Sequence, residues 1–128
     1  MWAKRSYFAN EADHRKSQMV GIDIEQTKRF EKMLKKFDKK TLLRVFSQEE
    51  LEYCFSKKYP HIHLCGKYCA KEAFFKATNI KIPLNKIEIL NGTNGAPYIY
   101  INNKKFSADV SISHTDEYAV AVVICKTT

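Results

Sequence analysis

Glycine and proline are scarce in this 128-residue chain, with four and three occurrences respectively. Their scarcity excludes collagen-like repeats and proline-rich low-complexity sequence. No run of apolar residues approaches the roughly 18 that a membrane-spanning helix requires. Acidic residues are also few, 14 against 22 Lys and Arg, so the formal net charge is +8. A basic excess of this size indicates an anionic partner, and charge alone does not say which class of anion it is.

No apolar signal segment precedes the cysteines, because the first 18 residues are polar. The four cysteines are Cys54, Cys65, Cys69 and Cys125. We therefore expect reduced thiols in a cytoplasmic protein, with an organelle of bacterial origin as the alternative location. Residues 1–18 show no sustained periodicity. We predict that they form a poorly ordered extension and that residues 19–128 form one folded domain.

Hydrophobic periodicity predicts a single α+β domain with a strand, three helices and then antiparallel strands. Alternation over residues 19–25 predicts a strand whose polar face carries Gly21, Asp23 and Glu25. A helical stripe follows, formed by Phe30, Met33, Leu34 and Phe37. This stripe should face the core, which leaves a basic opposite face. A capping box at Ser47 starts a second helix, and a third covers about residues 64–78.

Four charged or titratable residues stand out by their positions alone. Glu72 and Lys76 are four apart, so they project from one helix face. A carboxylate that holds Mg²⁺ beside an ammonium suits phosphoryl chemistry, although a plain surface ion pair has the same spacing. Asp23 lies between two isoleucines, where an acid must be exposed, paired or metal-bound. His114 ends a Ser-Ile-Ser-His segment that could bind phosphate or simply be exposed.

Taken in chain order, four segments resemble the holo-acyl-carrier-protein synthases, the small bacterial-type 4′-phosphopantetheinyl transferases. They are GIDI, GKYCAKEAFFKA, NGAP and VSISHTDEYAVAVV. The resemblance implies transfer of 4′-phosphopantetheine from coenzyme A to a serine of apo-acyl carrier protein, with release of adenosine 3′,5′-bisphosphate, in fatty acid biosynthesis. It also implies Mg²⁺ (or Mn²⁺), an acidic carrier protein and a homotrimer, with no nucleic-acid or membrane partner.

The resemblance also implies roles for individual residues. Asp23 and Glu72 match the metal ligands, and Glu72 and Lys76 match the catalytic pair. The implied coenzyme A contacts are Lys67, Lys71, Lys76, Asn94, Gly95, Pro97 and His114. The implied carrier-protein contacts are Arg29, Lys32 and Lys36. Lys67 stands where the family usually has arginine, which keeps the charge and loses the bidentate fork.

A different class of function comes from four potential zinc ligands within nine residues. These are His61, His63, Cys65 and Cys69. On a basic chain they would suit a zinc-stabilised nucleic-acid-binding module. However, their spacing is not the usual Cys-x2-Cys pair, and the helix face of Cys69 also carries Ala73 and Phe74, which favours core packing. A non-catalytic binding protein on the transferase fold is a third alternative.

Overall fold

The computed structural model describes residues 19–125, and their regular elements follow the predicted order of a strand, helices and strands. The predicted extension over residues 1–18 lies outside the described residues. The helices are α1 (Thr27–Lys36), α2 (Lys39–Leu42), α3 (Gln48–Phe55) and α4 (Pro60–Thr78). The strands are β1 (Met19–Gln26), β2 (Ile87–Asn91), β3 (Pro97–Ile101), β4 (Lys104–Lys105), β5 (Ala108–His114) and β6 (Tyr118–Cys125).

The strands form two antiparallel sheets in the orders β1-β6-β5 and β2-β3-β4. β1 pairs with β6 along its whole length, from Met19 opposite Cys125 to Gln26 opposite Tyr118. The long helix α4 packs mainly on β1 and β6, and it also touches α1, α3, β5 and β2. The α+β prediction is therefore confirmed, and α4 is the element to which most of the domain is attached.

The polar face of β1 packs on α4, because Gly21 lets the two backbones approach closely. A Cβ at Gly21 would lie 1.9 Å from the carbonyl oxygen of Ala73, so no side chain fits there. Asp23 and Glu25 lie on this same side of the strand. The opposite side carries aliphatic residues that are more than half exposed, namely Val20 at 53%, Ile22 at 60% and Ile24 at 61%.

Two helix starts differ from the prediction. α4 begins at Pro60, about four residues earlier than expected. The N–H groups of the first helical turn have no acceptor within the helix, so proline, which lacks an N–H, is well suited to this position. α2 was not predicted, so the described residues form four α-helices instead of three, besides a short 3-10 helix at Leu84–Lys86. Asp38 caps this short helix by accepting a hydrogen bond from the Thr41 backbone N–H at 2.9 Å. The predicted capping box of α3 is present at Ser47 and Glu50.

The ends of α1 and α4 show how local chemistry terminates a helix. α4 ends at Asn79, which adopts the left-handed conformation with φ 59°, a conformation that asparagine tolerates better than most residues. α1 ends at Lys36, and Phe37 is extended and 41% exposed. The prediction that Phe37 faces the core is therefore wrong. Phe30 is fully buried, and Met33 and Leu34 pack against the core as predicted.

All four cysteines lie within residues 19–125, where each is buried and forms no disulfide bond. This agrees with the expectation of reduced thiols. Within the same range, no helix combines the length and the apolar character that crossing a membrane requires.

Candidate active site

The first candidate cluster joins β1 to the last turns of α4. Lys76 on α4 extends to β1, where its Nζ donates to the Ile22 carbonyl oxygen at 3.0 Å and to Asp23 Oδ1 at 3.2 Å. The second carboxylate oxygen, Asp23 Oδ2, is buried and has no hydrogen-bond partner among the described residues. A buried carboxylate oxygen without a partner is costly, so this atom fits a ligand that donates or carries positive charge.

Glu72 belongs to the same cluster and lies one helical turn before Lys76. Desolvation raises the pKa of Glu72, and the nearby carboxylates of Asp23 and Glu25 raise it further. Lys76 and Arg29 act in the opposite direction on this pKa. Glu25 itself is paired with Arg29 at 3.0 Å. The acidic groups of β1 and α4 are therefore close enough to repel one another, and a cation between them would relieve that repulsion.

Asp23 and Glu72 are the residues that could hold a hard cation in this cluster. Residues 19–125 contain no group of three or more potential metal ligands. Mg²⁺ usually keeps several waters and binds through one or two carboxylates plus phosphate, so two protein ligands are sufficient for it. The partnerless Asp23 Oδ2 and the raised pKa of Glu72 fit such an ion.

A cleft with a volume of about 630 Å³ adjoins this cluster at the end of α4. Its lining combines apolar and cationic side chains and is formed by Phe75, Lys76, Asn79, Lys81, Ile82 and Pro83. Such a lining suits a ligand that has both an apolar part and an anionic part.

The second candidate cluster lies between α4, the β2–β3 hairpin and β5. A cleft with a volume of about 260 Å³ there brings together four of the predicted coenzyme contacts. They are Lys67, Gly95, Pro97 and His114. Asn94, which was also predicted, lies in the same hairpin loop but not in the lining of this cleft. Its side-chain oxygen instead accepts a hydrogen bond from the Ala96 backbone N–H at 3.0 Å.

Lys67 attaches α4 to this hairpin and is only 3% exposed. Its Nζ donates to the Ile89 carbonyl oxygen and, at 2.6 Å, to Asn91 Oδ1. The Asn91 amide in turn donates to the Gly95 carbonyl oxygen at 3.0 Å. Lys67 thus holds the hairpin loop at the edge of the cleft.

Three cleft residues were missed as ligand contacts by the sequence analysis, namely Tyr53, His63 and Asn91. His63 was assigned to the zinc set, although its four-residue spacing from Lys67 places both on one face of α4. That spacing was an available signal. Tyr53 and Asn91 had no such signal, because only tertiary packing brings α3 and β2 to this cleft.

Lys71 was predicted to contact coenzyme A, and the structure contradicts this. Its side chain is fully buried and pairs with the equally buried Glu50, with Nζ 2.6 Å from Oε1. The same Nζ donates to the carbonyl oxygens of Val45 at 2.9 Å and Leu84 at 2.8 Å. An ammonium has three N–H donors, and all three of these are used inside the protein. Lys71 is therefore a structural residue.

The zinc set does not assemble. Cys65 and Cys69 are fully buried in the core, and their thiols lie against the backbone carbonyls of Glu25 and Ala119. His61 lies in a different cleft from His63 and packs against Tyr59. Within the described range, no group of potential ligands includes them. The zinc alternative is therefore contradicted.

The predicted carrier-protein contacts lie on the exposed face of α1. Arg29, Lys32 and Lys36 are all exposed, and with Met33 and Phe37 they line a shallow groove. The Arg29 guanidinium also lies 5.0 Å from the centre of the Tyr68 ring. The groove is basic with an apolar floor, which suits an acidic protein partner that also presents apolar side chains.

Comparison with known proteins supports the resemblance. The model of the 4′-phosphopantetheinyl transferase superfamily matches residues 19–123. The holo-[acyl-carrier-protein] synthase of Syntrophus aciditrophicus is 37% identical over 120 residues, which cover 84% of this chain and 94% of that protein. The same enzyme of Caldicellulosiruptor saccharolyticus is 40% identical over 118 residues, covering 84% and 94%.

A solved structure gives the same result. The crystal structure of Helicobacter pylori holo-[acyl-carrier-protein] synthase in complex with coenzyme A has a TM-score of 0.70 at 32% identity. The match covers 82% of this chain and 97% of that one. With its sequence relatives and its fold in agreement, the chain belongs to the holo-[acyl-carrier-protein] synthase family of the 4′-phosphopantetheinyl transferase superfamily.

Proposed function

We propose that this protein transfers the 4′-phosphopantetheine arm of coenzyme A to a serine of apo-acyl carrier protein, in support of fatty acid biosynthesis. The observation that carries the proposal is the cluster of Asp23, Glu72 and Lys76, in which a partnerless buried carboxylate oxygen lies beside an ammonium. In the second cleft, the His114 imidazole is available to donate to a phosphate of the coenzyme, and Lys67 holds the hairpin loop at the edge of the cleft. The relatives named above are synthases of this type.

In the proposed reaction, the serine Oγ attacks the phosphorus that carries the pantetheine arm. A Ser–O–P bond forms while the P–O bond to adenosine 3′,5′-bisphosphate breaks, and the serine proton is transferred to a base. We assign the base role to Glu72, either directly or through a water. Lys76 would stabilise the charge that develops on the diphosphate, because its ammonium is positioned by the Ile22 carbonyl oxygen and Asp23.

Mg²⁺, with Mn²⁺ as a substitute, is part of the proposal, and Asp23 and Glu72 would hold it. When bound, the ion supplies positive charge to the diphosphate oxygens. On the coenzyme side, we assign the adenosine part to the hairpin residues Asn94, Gly95 and Pro97, and phosphate contacts to His114. Lys67 would act mainly by holding the hairpin loop, since its Nζ is bound to Ile89 and Asn91. A cytoplasmic location remains a prediction.

The direct test is a transfer assay with the purified protein. Coenzyme A, Mg²⁺ and apo-acyl carrier protein are incubated with it, and the carrier is analysed by mass spectrometry. The carrier should gain the mass of one phosphopantetheine group, and adenosine 3′,5′-bisphosphate should appear in equal amount. An unchanged carrier mass at high protein concentration, with several acidic carrier proteins tried, would contradict the proposed function.

We also propose a homotrimer, and the exposed apolar face of the β1-β6-β5 sheet supports this. Val20, Ile22 and Ile24 of β1 lie outward, and Ile124 of β6, opposite Val20, is 47% exposed. A contiguous aliphatic sheet face of this kind marks an interaction surface.

Ile24→Lys should therefore dissociate the assembly, because it places a charge in the middle of the apolar face. Light scattering at micromolar concentration should give about three times the chain mass for the unmodified protein and a lower mass for the variant. Ile80→Lys is the matched control, since Ile80 is a 41% exposed isoleucine outside this sheet. A monomeric mass for the unmodified protein would refute the trimer.

The basic face of α1 is the proposed docking surface for the acidic carrier protein. Arg29→Glu should raise the apparent KM for the carrier protein about three- to tenfold and leave the KM for coenzyme A nearly unchanged. Exposed ion pairs contribute on the order of 0.2–1 kcal/mol each, and charge reversal replaces attraction by repulsion. Rates at low carrier concentration should also fall as salt rises.

Lys104→Glu controls for the change in net charge, because Lys104 is an exposed lysine on β4. The α1 assignment fails if Arg29→Glu impairs coenzyme A binding instead, or if carrier affinity does not respond to salt.

A further inference from the structure

His63 lies on α4 and lines the same cleft as His114, yet neither the motifs nor the proposed mechanism uses it. The two imidazole rings pack edge to face with their centres 5.8 Å apart. The Tyr53 ring also packs edge to face with His63, with the ring centres 6.2 Å apart. His63 is therefore held by aromatic neighbours from α3 and β5 at the wall of the cleft, about one helical turn before Lys67.

The groups that face His63 from every neighbouring element are cationic or neutral. They are His114 on β5, Lys57 in the segment after α3, Lys67 on α4 and the phenol Tyr53 on α3. No acidic residue belongs to the described lining of this cleft. Burial lowers the pKa of His63, and the charges of His114, Lys57 and Lys67 lower it further. A cleft whose lining has a lysine and two imidazoles but no carboxylate favours an anionic ligand.

We propose that His63 is a further phosphate-binding residue, which together with His114 forms a pair of imidazoles that contacts a phosphate group of coenzyme A. The inference rests on the proposed function, because that function brings the coenzyme to this cleft. Imidazole N–H groups donate to phosphate oxygens, and the charged form of histidine does so most strongly. The pair therefore adds a second, titratable contact at the edge of the hairpin loop.

Phosphate binding by the two imidazoles makes the affinity for coenzyme A depend on pH, which a purely structural role of His63 would not do. In the free protein the pKa of His63 is held below its usual value, so the ring is mostly neutral at neutral pH. A phosphate beside the ring favours the charged form and raises that pKa. Between the two pKa values, binding takes up a proton, so affinity for the coenzyme is greatest at low pH and declines as pH rises.

The test compares His63→Gln with the unmodified protein in the transfer assay. Glutamine keeps a hydrogen-bond donor but cannot become charged. The KM for coenzyme A should rise about tenfold at pH 6 and less than about twofold at pH 8, the size expected for one charge-assisted hydrogen bond. His61→Gln is the matched control, since His61 lies on the same helix but lines a different cleft, and its KM should match the unmodified protein at both pH values.

Calorimetry supplies a readout that does not depend on turnover. Coenzyme A binding at pH 7, measured in two buffers with different ionisation enthalpies, should take up more protons in the unmodified protein than in His63→Gln. Titration with 3′-dephospho-coenzyme A identifies the phosphate. If the difference between the two proteins disappears, the pair contacts the 3′-phosphate, and if it persists, the pair contacts the diphosphate.

Equal KM values at pH 6 together with equal proton uptake in His63→Gln and the unmodified protein would overturn the proposal. Because this result is obtained from an active, coenzyme-binding protein, it is distinct from failure of the proposed function, in which the unmodified protein itself transfers nothing.

Discussion

Glu72→Gln is expected to lower turnover at least about 100-fold, the scale of losing a key electrostatic group in an active site. Burial raises the pKa of the Glu72 carboxyl, and the charges of Asp23 and Glu25 raise it further. Glutamine has nearly the same shape but neither binds a hard cation as well nor accepts a proton from serine. Because Glu72 is half-buried and the substitution removes repulsion, the fold should be retained.

The measurement combines transfer kinetics at saturating Mg²⁺ with Mn²⁺ binding followed by electron paramagnetic resonance. Mn²⁺ binding should weaken in both Glu72→Gln and Asp23→Asn, and a chelator should abolish transfer by the unmodified protein. Glu49→Gln is the control, since Glu49 is an exposed glutamate on α3. Near-normal turnover of either variant would refute the assignment of Asp23 and Glu72 as metal ligands. Normal Mn²⁺ binding together with lost turnover in Glu72→Gln would show that Glu72 acts as a base and not as a metal ligand.

Lys71→Met should destabilise the protein by about 3–5 kcal/mol, the usual cost of removing one partner from a buried ion pair. Glu50 would be left as a fully buried carboxylate without its counter-charge. Its Oε1 also accepts from the Ser47 backbone N–H at 2.9 Å, and its Oε2 accepts from the Ile89 backbone N–H at 2.8 Å. The pair thus joins the start of α3 to α4 and β2, and losing it loosens all three.

Urea unfolding at one fixed protein concentration measures the effect. The double variant Lys71→Met with Glu50→Gln should lose less than the sum of the single losses, because no uncompensated charge remains buried. Lys104→Met, on exposed β4, should change stability little. The folded Lys71→Met protein should keep its KM for coenzyme A within about twofold. A selective rise in that KM without loss of stability would restore Lys71 as a coenzyme contact.

The signals in the sequence that proved correct are local ones. The capping box at Ser47 and the strand alternation over residues 19–25 each depend on neighbours within a few residues. Such interactions are encoded in the spacing of the chain itself, so they could be predicted without a fold. The helix start at Pro60 was not predicted, although proline is favoured at a first helical position.

In the candidate site, too, a feature that depends on local spacing was predicted correctly and one that depends on the fold was not. Glu72 and Lys76 were paired by their spacing, and the structure places both beside Asp23. Lys71 was misassigned because it adjoins Glu72 in sequence, whereas neighbouring residues on a helix point about 100° apart. One of them therefore faces the solvent-accessible cluster and the other the core.

The sequence by itself determined the types of element, the family and the chemical groups of the candidate site. Only the tertiary structure decided which side of β1 is inside. Alternation marks two faces of a strand but does not say which is covered, and the apolar side of β1 was the natural choice for the core. Gly21 reverses this, since its missing side chain admits α4 to within contact of the backbone. Asp23 thereby lies next to Lys76 and close enough to Glu72 to raise its pKa, and three aliphatic residues of β1 are left exposed.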